Sequence, residues 1–118
     1  MTDYKVLNNY EERVPVGNLT LLVKGTEKFW EGEDSGRQED MPGTFLELSI
    51  DVEKCTEGSS PLELLAARYK VRLFESQKEI SDEPKGYAEL KYKQLLSLVR
   101  THPEEYTRKI QSAVKKVL

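Results

Sequence analysis

One cysteine and one histidine are all that the 118 residues contain of the two softest metal-binding side chains. Cys55 alone cannot close an intramolecular disulfide, and with His102 as its only counterpart no spaced pair exists for a structural zinc site. Long apolar runs are missing too. The longest covers Leu64 to Ala67, far short of the roughly 20 residues of a membrane-spanning helix. The first 30 residues lack the positive start and the apolar stretch of a secretory signal. The expectation is a cytoplasmic protein with no membrane partner.

Nucleotide signatures are also absent. Gly25-Thr26-Glu27-Lys28 is not a phosphate loop, and Gly32 with Gly36 does not make a dinucleotide fingerprint. Glu31, Glu33, Ser35 and Gly36 fall loosely on an EF-hand spacing, but Pro42 stands where that loop needs its bidentate glutamate. The serines sit in no nucleophile elbow. Cys55, with Lys54 beside it, reads as a small residue at a core edge, and His102 as a surface or capping residue at a helix break. No catalytic residue, metal or cofactor is expected, and a small enzyme is the weakest of three readings.

Charge is abundant, at 33% Asp, Glu, Lys and Arg with a net of −3. It is unevenly distributed. Residues 1 to 84 hold 10 basic against 18 acidic side chains, whereas residues 85 to 118 hold 8 against 3. Six Tyr, three Phe and one Trp are too many for a disordered chain, and the length suits one domain, residues 1–118, with a sheet region to about residue 82 and a helical region from about 84.

Leu46, Leu48, Ile50 and Val52 alternate with polar residues and predict a half-buried strand over 44–54. Ala67, Tyr69, Val71 and Leu73 predict another over 66–75. Antiparallel pairing of Val52 with Ala67 and Leu46 with Leu73 would set Asp51 opposite Arg68 and Glu47 opposite Arg72. A third strand, 19–24, stops at Gly25, and a weak one lies near Lys5 to Leu7. Residues 75 to 82 either extend a strand or form a short one through Ile80. Ser60-Pro61-Leu62-Glu63 has the form of a helix start, placing a helical turn between the strands.

After Pro84 and Gly86, apolar residues from Tyr87 to Val99, with Leu95, Leu96 and Leu98 among them, fall on one side of a helical wheel. Tyr106, Ile110, Ala113, Val114 and Val117 form a second stripe. Helices are therefore predicted over 87–100 and 103–117, with Thr101 and Glu104 forming a capping box for the second. The fold class is α+β: an antiparallel β-meander of three to four strands packed against two C-terminal amphipathic helices. Leu48, Ile50, Tyr69, Val71, Leu95, Val99, Ile110 and Val114 are its expected core.

Two surfaces carry the functional readings. Residues 26–43 lack periodicity and form a long acidic loop, where Phe29, Trp30, Glu31, Glu33, Asp34, Glu39 and Asp40 combine aromatic contact area with negative charge. They suit a non-catalytic protein-interaction module, an adaptor, inhibitor, immunity-type partner or small subunit, whose partner is a protein with a basic surface or a second copy of the chain. The rival surface is basic: Arg108, Lys109, Lys115 and Lys116 on the last helix suit a nucleic-acid-binding accessory protein. Helix electrostatics offers a plainer account, because Glu104 and Glu105 lie four residues before Arg108 and Lys109, and a chain of pI near 5.3 is no autonomous binder of nucleic acid.

Overall fold

A computed structural model describes residues 4–31 and 42–118. It contains β1 (Tyr4–Val16), β2 (Leu19–Trp30), β3 (Gly43–Cys55), α1 (Pro61–Arg68), β4 (Arg72–Glu79), α2 (Tyr87–Thr101) and α3 (Pro103–Val117). The strands form one antiparallel sheet in the order β1-β2-β3-β4. The α+β meander expected from the sequence is what forms. No helix among the described residues is long and apolar enough to cross a membrane.

β1 and β2 are longer than the sequence indicates, and β4 is displaced toward the C-terminus. β1 runs 13 residues, not three, because only its last two apolar residues, Val14 and Val16, are buried and the rest offers no alternation. It turns into β2 through Gly17 and Asn18, with Gly17 at φ 59° in a two-residue hairpin connection that favours glycine. β2 passes through Gly25 and continues to Trp30, so residues 26–30 of the anticipated loop are strand. β4 extends to Glu79, and Ile80 beyond it packs with Leu46 and Ala88 in a small second core cluster.

The expected register between β3 and the following strand is wrong by four residues at Asp51 and, beyond an irregularity between Ile50 and Asp51, by five at Glu47. Asp51 pairs with Arg72, not Arg68, and Glu47 pairs with Gln77. Residues 61–68 form a helix, because Ser60 accepts a hydrogen bond from the Glu63 N–H while the Glu63 carboxylate accepts one from the Ser60 N–H. That reciprocal capping box, with Pro61 in the first turn, outweighs the period-two pattern of Ala67 and Tyr69. Tyr69 becomes the C-cap and is 46% exposed instead of core, and Lys70 at φ 46° turns the chain into β4. The alternation resumes correctly from Val71, whose carbonyl accepts from the Val52 N–H at 2.9 Å.

Side chains alternate across the sheet. Leu21, Val23, Ile50 and Val52 face the helices and are almost wholly buried with Ala66, Leu95, Leu96, Val99, Ile110 and Val114. Leu48 packs against this cluster half-buried, as does Cys55 at its margin, while Leu98 lies outside the apolar stripe and is 48% exposed. α2 is seated by one contact in particular. The Tyr92 ring lies over Gly25, where an added Cβ would come within 2.8 Å of Cδ1, and its hydroxyl donates to the Val23 carbonyl at 3.0 Å. Tyr10, across the ladder from Gly25, stacks on Tyr92 with ring centroids 5.2 Å apart. His102 separates the two long helices and serves as N-cap of α3 without a side-chain hydrogen bond. The expected Thr101–Glu104 box does not form: Thr101 remains helical and its hydroxyl donates to the Ser97 carbonyl at 2.8 Å.

Two stability measurements check this account. Gly25→Ala should destabilise by about 1 to 3 kcal/mol, because the new methyl must displace the Tyr92 ring, whereas Tyr92→Phe should cost only about 0.5 to 1.5 kcal/mol for the lost hydrogen bond. A Gly25→Ala variant as stable as the wild type in urea titration would contradict the contact. Ser60→Ala should cost about 1 kcal/mol through α1. The hydrogen bond from the Ser60 N–H holds the Glu63 carboxyl below its ordinary value, so its stabilisation is complete above the ordinary carboxylate range and is lost as pH falls through the folded-state value. Glu63→Gln should therefore reduce the loss of stability on acidification.

Candidate binding surface

All three helices share the cluster on one side of the sheet. The other face carries none of them. Strand alternation brings to it Glu11 and Arg13 from β1, Leu22, Lys24, Thr26, Lys28 and Trp30 from β2, Phe45 to Glu53 at every second residue from β3, and Arg72, Glu75, Gln77 and Glu79 from β4.

Ion pairs run across this face, both between strands and along β4. Arg13 meets Glu53 at 2.8 Å, Lys28 meets Glu47 at 2.6 Å, and Arg72 meets Asp51 at 2.9 Å and Glu75 at 3.1 Å. Hydrogen bonds from Arg13 hold the Glu53 carboxyl below the usual range, and those to Asp51 first and Glu75 second push Arg72 further up. Each pair is at least partly exposed and contributes tenths of a kcal/mol up to about 1. Their effect is to fix long side chains in place. Between them lies a shallow depression of about 450 Å³ lined by Lys24, Thr26, Glu47, Ser49, Arg72 and Gln77 among others.

The far end of the face is aromatic. Tyr4 and Gly43 flank Trp30 on the adjacent strands, and Phe45 lies opposite Lys28 in the neighbouring row. The Lys28 ammonium sits 4.1 Å from the Tyr4 ring centroid, close enough for a cation–π contact. Trp30 is half-buried, and among the described residues its indole N–H is buried without a hydrogen-bond partner.

The site residues anticipated from the sequence separate here. Phe29 and Trp30 are consecutive in β2 and point to opposite faces: Trp30 belongs to the open face, while Phe29 is half-buried on the helix side beside Lys5 and Thr44. Glu31 is exposed just past the strand. Glu33, Asp34, Glu39 and Asp40 lie outside the described residues. Arg108, Lys109, Lys115 and Lys116 are exposed on α3, in the other layer of the molecule. Lys109 is directed at the domain's own aromatics, 5.3 Å from the Tyr106 centroid and 6.0 Å from that of Phe74. Glu104 approaches His102 Nδ1 at 3.6 Å.

Sequence reading missed Tyr4 and Phe45 as neighbours of Trp30. Phe45 carries a signal, since it is the one aromatic on the polar phase of the Leu46–Val52 alternation. Tyr4 carries none, because its place depends on a bulge between Val6 and Asn8 that reverses the facing of everything before it. A second concavity, of about 660 Å³, lies between β1 and α2 among Tyr10, Glu11, Glu12, Tyr92, Lys93 and Arg100. An ion pair between Glu12 and Arg100 links its two walls.

No protein-family model matches this chain, and neither a curated protein nor a solved structure is significantly similar to it.

Proposed function

We propose that this chain is a non-catalytic protein-interaction module that presents its open sheet face, anchored at the aromatic end by Trp30, to a partner with a basic surface. The cluster of Tyr4, Trp30 and Phe45 at the edge of an ion-paired face is the observation that carries the reading. Aromatic side chains held rigidly by strands offer large contact area at little entropic cost, and the surrounding paired charges provide a polar rim. Trp30 is half-buried there, so part of its ring remains available for apolar contact. Glu31, with Glu33, Asp34, Glu39 and Asp40 next in sequence, adds negative charge beside the anchor, which favours fast association with a cationic surface. The shallow, polar depression suits a protein better than an enclosed small molecule.

Affinity capture from a nuclease-treated lysate, followed by kinetics on the purified partner, tests this reading. Trp30→Ala should weaken binding by about 30-fold or more, mainly through faster dissociation. Gln/Asn replacements of the five acidic residues should instead slow association and flatten its salt dependence. The reading fails if Trp30→Ala only lowers the melting temperature while the folded fraction keeps its affinity. It fails equally if capture succeeds only from a lysate not treated with nuclease and is lost in the Lys115→Ala, Lys116→Ala double variant, an outcome that belongs to the nucleic-acid alternative.

A further inference from the structure

The two outer strands of the sheet are built differently. β4 is eight residues long and carries Arg72, Glu75, Lys78 and Glu79, a charge density that discourages another strand from pairing with it. β1 is 13 residues long, exposed from Tyr4 to Asn9, and uncharged from Val6 through Tyr10. Tyr4, Val6 and Leu7 are 46%, 53% and 44% exposed. Within the sheet β1 has a neighbour only in β2, so the backbone groups along its other edge make no ladder among the described residues. Tyr10 to Val16 lie close to α2 through the Tyr10–Tyr92 stack and the Glu12–Arg100 pair, which leaves the first half of β1 the more open.

Charge along this edge has an order. Lys5 precedes the uncharged stretch, and Glu11 and Glu12 follow it. A parallel alignment of two such edges would set Lys5 against Lys5 and Glu11 against Glu11. An antiparallel alignment about a two-fold axis near Asn8 and Asn9 sets each Lys5 against Glu11 or Glu12 of the other strand, and the uncharged stretch against itself. Like charges directly opposite destabilise a ladder and opposite charges support it, so the antiparallel arrangement is favoured. An isologous contact of this kind closes on itself as a dimer. The bulge between Val6 and Asn8 interrupts the ladder locally without altering this charge order.

We infer that the outer edge of β1 pairs antiparallel with β1 of a second copy of the chain, joining two four-stranded sheets into one of eight. This contact uses the sheet edge, and so leaves the open face of each copy available.

Sedimentation equilibrium of the full chain should give twice the monomer mass of 13.6 kDa at micromolar concentration. Lys5→Glu alone, and Glu11→Lys with Glu12→Lys alone, should each weaken self-association by about tenfold or more, since each sets like charges opposite one another. Mixing the two variants should restore a dimer, because the mixed pair matches opposite charges at both ends of the ladder. A chain that stays monomeric up to about 100 µM overturns the inference. So does a dimer insensitive to these substitutions, or charge variants that are not rescued by mixing.

Discussion

Tyr92 and Gly25 set the geometry on which the rest of the structure depends. A sheet with strands of 12 and 13 residues is far wider than two 15-residue helices can cover unless they are held at one place on it. The missing Cβ of Gly25 is that place. Any other residue would hold the Tyr92 ring off the ladder, and with it Leu95, Leu96 and Val99 one turn or two further along α2. The Tyr10 stack and the bond to the Val23 carbonyl then fix the ring laterally and along its axis. A glycine that weakens β2 locally is thus offset by the aromatic layer it admits.

This anchoring has a consequence for the opposite face. With 37% apolar residues the chain can supply one buried side of a sheet, and the alternation spends them there: Leu19, Leu21, Val23, Ile50 and Val52 all face the helices. The other side must be tolerable in water, and cross-strand pairs of opposite charge make it so while holding long side chains in register. Against such a background Trp30, Phe45 and Tyr4 are out of place as solubility devices. Their position at one end, beside Glu31, is the reason for treating that end as a recognition surface.

The sequence exposed those parts of the fold in which local and tertiary preferences agree. β3, α2 and α3 are legible because their apolar spacing matches their burial. The passage from Tyr69 to Leu73 was ambiguous, because Arg68 and Arg72 have the same phase in an alternating pattern and either can face Asp51. The capping box at Ser60 and Glu63 resolved that ambiguity four residues later than charge matching alone suggested. β1 was nearly invisible, since an exposed edge strand has no need of alternation, and Gly25 looked like a strand end because a glycine's role under an aromatic ring cannot be seen without the ring. The candidate site was half legible: Trp30 stood out by type, but its neighbours come from other strands through pairings that a bulge shifts.

Charge segregation along the chain becomes charge segregation through its thickness. The open face bears Arg13, Lys24, Lys28 and Arg72 against Glu11, Glu47, Asp51, Glu53, Glu75 and Glu79, so its local balance is negative. α2 and α3 bear seven basic residues against three acidic ones, with a positive balance. The Glu12–Arg100 pair is where the two layers meet at the surface. A basic partner is therefore attracted to the sheet and repelled by the helices, and a polyanion experiences the reverse. Such a field would orient a charged partner before any contact forms, turning a cationic one toward the open face that carries the half-buried Trp30.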